Sequence, residues 1–171
     1  MLHTLSTSLL PLLLIFAAAS DVMSLRIPNW LTILTAVLFF PMAMATGMPL
    51  HDFGMHLVAG IGLFVAGFIF FQLGIFGGGD AKLMAAAGLW FGTSQSLPFL
   101  FMTVLAGGIL AVVVGVWSAL SLSWEIEGDN AFTKSFGQKI RSLKPNVPYG
   151  FAFAIGGILA FKDTWWMHSL T

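Results

Sequence analysis

Two aspartates, Asp21 and Asp80, stand at the edges of long apolar blocks in a chain of 171 residues that is 58% hydrophobic and only 8% charged. Asp80 follows Gly77, Gly78 and Gly79 and precedes Ala81 and Lys82; Asp21 is followed shortly by Arg26-Ile27-Pro28-Asn29. An ionisable side chain at membrane depth costs about 2.5–3.5 kcal/mol on insertion scales, so it is a functional candidate by default. Two carboxyls that meet share a proton, and such a pair can activate water with one member and protonate a carbonyl with the other. The plainer alternative makes both of them helix-end residues in water. Solvation does account for the other acids: Asp52 and Asp163 fall in connections on one side, and Glu125, Glu127 and Asp129 in a polar segment on the other. The chain has no cysteine, which excludes disulfides, thiolate catalysis and a cysteine-based zinc site.

The elements that must carry these acids are membrane helices. Mean hydropathy is +0.94, and apolar blocks recur along the whole length. These features predict an all-α polytopic membrane protein, one membrane-embedded domain over residues 1–171 with no soluble module. A bilayer core about 30 Å thick needs about 20 apolar residues per helix. Six blocks can be drawn: 5–20, closed by Asp21; 30–47; 55–75; 81–92; 97–122, after the polar run Thr93-Ser94-Gln95-Ser96; and 147–161. Between the last two, Phe132, Phe136, Ile140 and Leu143 recur at intervals of four, four and three, with Lys134, Lys139 and Arg141 among them. This spacing predicts a short interfacial helix on the membrane surface.

Short cytoplasmic loops accumulate Lys and Arg. Arg26, Lys82, Lys134, Lys139, Arg141 and Lys144 lie on the side reached after blocks one, three and five, and only Lys162 on the other. Both termini are therefore expected outside the cytoplasm, with Asp21 and Asp80 at the cytoplasmic ends of their helices. The four histidines fall near the opposite face and are not expected in the chemistry. A signal peptide ending near Ala17-Ala18-Ala19 is disfavoured by the absence of Lys or Arg in its first region.

Block 81–92 spans only about 18 Å at about 1.5 Å per residue. Either the helix continues through Gln95, or its start is sunk below the membrane surface; both draw Asp80 toward the apolar layer. Non-helical backbone at that depth requires protein or a wet cavity around it. Glycine permits positive φ and close backbone approach, so the 77–79 run is expected to bend a helix end and leave room for an extended peptide. Asp80 begins a helix and Asp21 ends one, which makes Asp80 the expected ionised partner and Asp21 the neutral one.

Gly77-Gly78-Gly79-Asp80-Ala81-Lys82 resembles the G-x-G-D motif of intramembrane aspartic proteases. Asp21 with Arg26-Ile27-Pro28-Asn29 resembles the first-aspartate motif of type IV prepilin peptidases, and Val147-Pro148-Tyr149-Gly150 is similar to the start of that family's last helix. The resemblance spans nearly the whole chain. It implies a bacterial inner-membrane endopeptidase that cuts the basic leader from pilin precursors at the cytoplasmic face. Asp21 and Asp80 would be its catalytic pair, with no metal or cofactor. Gly77, Gly78 and Gly79 would form the active-site turn, and Lys82 would be a motif residue or a snorkelling anchor. The implied partners are a prepilin and the lipid bilayer, with no nucleic acid.

Larger members of that family carry a cysteine-rich cytoplasmic insertion and also methylate the new pilin N-terminus. This chain lacks both cysteine and the insertion, so peptidase without methyltransferase activity is expected. The short form is similar to the branch serving Flp-type pili of tight-adherence systems, with archaeal preflagellin peptidases as the alternative. It does not resemble presenilin or signal peptide peptidase, because no tyrosine precedes the first aspartate. Two other classes fit acids beside broken helices: a proton-coupled transporter or channel, whose sites usually lie at the midplane between internal repeats, and a non-catalytic subunit of a pilus assembly platform.

Overall fold

The computed structural model describes residues 2–75, 77–125 and 149–168, and every element in them is a helix: α1 Leu2–Ser24, α2 Asn29–Ala45, α3 Leu50–Gln72, α4 Gly78–Glu125, α5 Tyr149–Phe161 and the single turn α6 Trp165–His168. The expected interfacial helix around Phe132–Leu143 lies outside the described residues. Three stretches are long and apolar enough to cross a bilayer, Thr4–Ser24, Leu50–Gln72 and Gly78–Trp117; α2 and α5 are apolar but shorter.

The fourth and fifth expected blocks, 81–92 and 97–122, meet at a break in the helix. The polar run 93–96 is itself helical and begins the second of two limbs, and Ser96 satisfies its hydroxyl on the Gly92 carbonyl at 2.6 Å. The break falls at Gly92, the expected end of the fourth block, with φ 63° and ψ −179°, a backbone geometry that a residue with a side chain adopts only under strain. The two limbs, 78–91 and 93–125, bend sharply there. Phe91 and Phe99 stack with ring centroids 4.4 Å apart, whereas residues eight apart in a straight helix are separated by about 12 Å along the axis.

A helix break strips the carbonyls of the preceding turn of their intrahelical donors. Side chains supply replacements here: His56 Nδ1 donates to the Leu89 carbonyl at 2.6 Å and Trp166 Nε1 to the Trp90 carbonyl at 2.7 Å. Trp90 Nε1 in turn donates to Thr35 O at 2.9 Å, so α2, α3 and α6 are all tied to the break.

Helix α4 is the centre of the bundle. It packs on α3, α5 and α2, while α1 lies mainly on α5. Trp90, Trp166, Phe39, Phe91, Phe99, Phe153, Leu10 and Leu14 are almost wholly buried. Leu10, Leu14 and Ala17 make α1 an integral part of that core. The outer surface is also apolar: Val58, Ile61, Phe64, Val65 and Phe68 of α3 are each at least half exposed. Contiguous exposed apolar area of this kind is unsuited to water and suits lipid. Two helix ends differ from expectation. α1 runs one turn further, so Asp21 sits inside its last turn; α3 starts at Leu50, because Asp52 suits a helix's first turn.

Candidate active site

Asp80 lies in the first turn of α4. Its Oδ2 accepts the N–H of Gly77, just ahead of the helix, at 3.1 Å, while the Gly77 carbonyl accepts from Ala81 N at 3.2 Å. A third-position acid reaching back to the amide that precedes a helix is half of a capping box. The local sequence therefore fixes the orientation of this carboxyl. The glycine run does not work through left-handed backbone as expected: the positive-φ glycine of this connection is Gly74, at 72°, and Gly78 and Gly79 are already helical. Gly79 serves a close approach. A Cβ there would come within 3.2 Å of Ile27 Cβ and 3.3 Å of the Ile27 carbonyl oxygen.

Asp21 is buried, with 6% of its surface exposed. Its Oδ2 accepts the N–H of Gly150, at the start of α5, at 2.7 Å. Just beyond it the chain turns sharply. Leu25, with φ 52°, donates its N–H to the Asp21 carbonyl at 2.7 Å, and the hydroxyls of Ser20 and Ser24 donate to the Arg26 carbonyl at 3.1 and 3.2 Å. Left-handed backbone costs a residue with a Cβ about 1–2 kcal/mol, and these hydrogen bonds hold it. The turn delivers Ile27 to Gly79 and Asn29 to Lys82, whose Nζ donates to Asn29 Oδ1 at 2.9 Å.

The two segments singled out in the sequence thus meet twice, through Gly79 on Ile27 and through Lys82 on Asn29. These contacts bring Asp21 and Asp80 to the same end of the bundle. Each spends Oδ2 on a glycine N–H, and Oδ1 of each has no hydrogen-bond partner among the described residues. Both carboxyls therefore accept an N–H at the start of a helix, Asp80 at α4 and Asp21 at α5. Lys82 is a tether between α4 and α2 rather than only an anchor. His56 lies with the Gly92 break, about 16 Å along α3 from the Gly67–Ala81 contact at the aspartate end.

The aspartates also lie below the edge of the apolar surface. Gly107 of the second α4 limb reaches Tyr149, next to the Gly150–Asp21 bond. Beyond it, exposed Ile109, Val112, Val113, Val116 and Trp117 continue for about 15 Å. On α3, Gly67 rests on Ala81, and exposed Phe68, Ile69, Leu73 and Ile75 continue past that level.

Ile27, Asn29 and Gly150 complete the site without having been identified as functional from the sequence. All three had one signal, their place in the quoted motifs, although the backbone N–H that Gly150 contributes leaves no trace in residue chemistry.

A model of the type IV leader peptidase family matches residues 8–112, more than half of the chain, including both aspartates, Asn29 and Lys82. The chain belongs to the type IV leader peptidase family. No curated relative and no solved structure matches it.

Proposed function

We propose that this protein is a membrane aspartic endopeptidase that removes the leader of type IV prepilins, of the Flp type, at the cytoplasmic face of a bacterial inner membrane. The observation that carries the reading is the convergence of Asp21 and Asp80, from the end of one helix and the start of another, at a level surrounded by apolar surface. One carboxylate takes a proton from water while its partner, as the acid, protonates the scissile carbonyl; the tetrahedral adduct then collapses as the amine leaves with a proton. Both termini lie outside the cytoplasm, with the chain crossing six times. The sharp bend at Gly92 supports that count, since an unbroken 40-residue helix would be about 60 Å long, twice the apolar thickness.

The test is co-expression with a pilin precursor, reading its size for wild type, Asp21→Asn and Asp80→Asn. Wild type should process the precursor, and each variant should lose roughly 10²–10⁴-fold in rate. Continued processing by either variant would remove the proposed roles; a transporter or scaffold would leave the precursor uncut in every case.

A further inference from the structure

Helix α5 packs on both of the helices that carry the aspartates, α1 and α4. Its register against each can be read from close contacts. Against α1, Gly150 donates to Asp21 and Gly157 lies against Leu14, seven residues away along each helix. Against the second limb of α4, Ala152 meets Gly107 and Gly156 meets Thr103, four residues away along each. Gly156 makes the tightest fit to α4: a Cβ there would overlap Thr103 Oγ1 and lie 2.5 Å from Thr103 N and 2.7 Å from its Cα. No polar bond from Thr103 holds this crossing. Its Oγ1 is buried and has no hydrogen-bond partner among the described residues, whereas Thr35 and Ser96 satisfy their hydroxyls on their own helices. The fit is one of shape, the kind that small residues allow between helices in lipid by letting backbones approach.

We propose that Gly156, seated on Thr103, is a positioning residue of the active site: the seat sets where α5 stands and, through it, the Gly150 amide that fixes Asp21. The proposal rests on the peptidase reading above and adds how one of its carboxyls is held from outside the site. From Gly156 to Gly150 is about 9 Å, within one helix of 13 residues, so displacement at the first is carried to the second. A Cβ at position 156 cannot be absorbed by turning a side chain, because what it meets is also backbone. Opening the 2.7 Å approach to an ordinary carbon–carbon separation of about 3.5 Å moves α5 off α4 by about 1 Å. The 2.7 Å bond from Gly150 to Asp21 does not survive such a shift unchanged. A misplacement of about 1 Å caused far from the reacting atoms can cost about 10²-fold in rate. Neither Gly156 nor Thr103 is at the aspartates, so the loss falls on kcat and not on KM.

Gly156→Ala and Thr103→Val test this on a pilin precursor. Gly156→Ala should lower kcat per folded molecule about 10–100-fold, with KM within about twofold of wild type. Thr103→Val exchanges the unpaired hydroxyl for a slightly larger methyl, which breaks no hydrogen bond but presses on Gly156. It should melt no lower than wild type and still lose kcat several-fold, a separation that a merely structural contact would not produce. His56→Phe, at the Gly92 break, is the comparison: it loses stability and should keep its kcat. The Gly150 amide proton is an independent readout, followed by NMR in protein with isotope-labelled glycine and identified by its disappearance in Gly150→Ala. Bonded to a carboxyl it lies downfield, and it should move upfield in both test variants and not in His56→Phe. A folded Gly156→Ala or Thr103→Val with wild-type kcat overturns the role. So does lost kcat with the Gly150 signal in place, or an equal loss of kcat in His56→Phe; the peptidase stands in each case. Where Gly156→Ala does not fold, Thr103→Val decides alone. A wild type that leaves the precursor uncut overturns the peptidase reading, and this role with it.

Discussion

The N–H of Gly150 donates to Asp21 Oδ2 at 2.7 Å, joining residues 129 positions apart. The contact is so close that a Cβ on Gly150 would lie 2.8 Å from Asp21 Cβ and 3.0 Å from the accepting oxygen. Helix α5 therefore serves as a support against which one carboxyl is set, and its first turn tolerates no side chain there. Gly150→Ala keeps the donor but forces α5 away from Asp21. Prepilin processing should fall at least tenfold at matched protein level. Gly108→Ala, where a Cβ meets nothing within 4 Å, provides the comparison and should process normally. Wild-type processing by Gly150→Ala would show that Asp21 does not need this support.

Gly79 and Gly78 should differ under the same substitution. A Cβ at Gly79 meets the Ile27 backbone at 3.3 Å, and backbone yields little; one at Gly78 meets the Phe71 ring at 3.5 Å, ordinary contact. Gly79→Ala pushes the Asp80 turn off the segment that follows Asp21, so it should slow processing several-fold, and Gly79→Val should abolish it. Gly78→Ala should be milder than Gly79→Ala. The ranking is read from initial rates in membranes, and the reverse order would mean that this contact does not set the spacing of the aspartates.

The Lys82–Asn29 hydrogen bond makes a prediction about coupling rather than loss. If its role is to hold the starts of α2 and α4 together, Lys82→Ala and Asn29→Ala remove the same interaction. Each should lower processing to a similar extent, and the double variant should be little worse than either single one. Contacting pairs commonly show interaction energies of 0.5–3 kcal/mol in such cycles. Strict additivity of the two effects would identify Lys82 as an independent surface anchor.

The parts of the site that announce themselves in the sequence are those whose chemistry is costly where it stands. Asp21 and Asp80 are legible because charge beside an apolar block needs a reason, and Lys82 and Asn29 lie in the motifs that frame them. Gly150 is legible only as part of the Val147–Gly150 motif, because its contribution is an amide that every non-proline residue owns. The helical class follows from hydropathy, and so does the end of the fourth block at Gly92; that the polar run after it is helical does not. Thr93-Ser94-Gln95-Ser96 has the polarity of a loop, yet hydroxyls such as that of Ser96 can be satisfied on a helix's own carbonyls. The chain bends at Gly92 through a backbone angle that composition does not report. The run 77–79 misleads in the complementary way. Three glycines suggest unusual dihedrals, whereas Gly78 and Gly79 are helical and the left-handed residue is Gly74.

The Gly92 break separates stability from catalysis. From Asp80 to Gly92 is about 18 Å along the first limb of α4, so changes at the break should lower stability while leaving the aspartates in place. Gly92→Ala places a Cβ 2.9 Å from His56 Nε2 and holds it at φ 63°, ψ −179°, a region essentially confined to glycine and costing about 1–3 kcal/mol before the steric conflict is counted. His56→Phe keeps a ring against Phe39 but removes the donor to the Leu89 carbonyl, and a buried acceptor left unpaired costs about 1–3 kcal/mol. In a chain of this size about 1 kcal/mol corresponds to about 2–4 °C in Tm. Each variant should therefore melt several degrees lower in detergent. Truncating the ring in the double variant Gly92→Ala/His56→Ala relieves the steric part, so its loss should be smaller than the sum of the single losses. Processing per folded molecule should stay near wild type throughout. A variant at either position that melts normally but fails to process would show instead that the break and the aspartates move together.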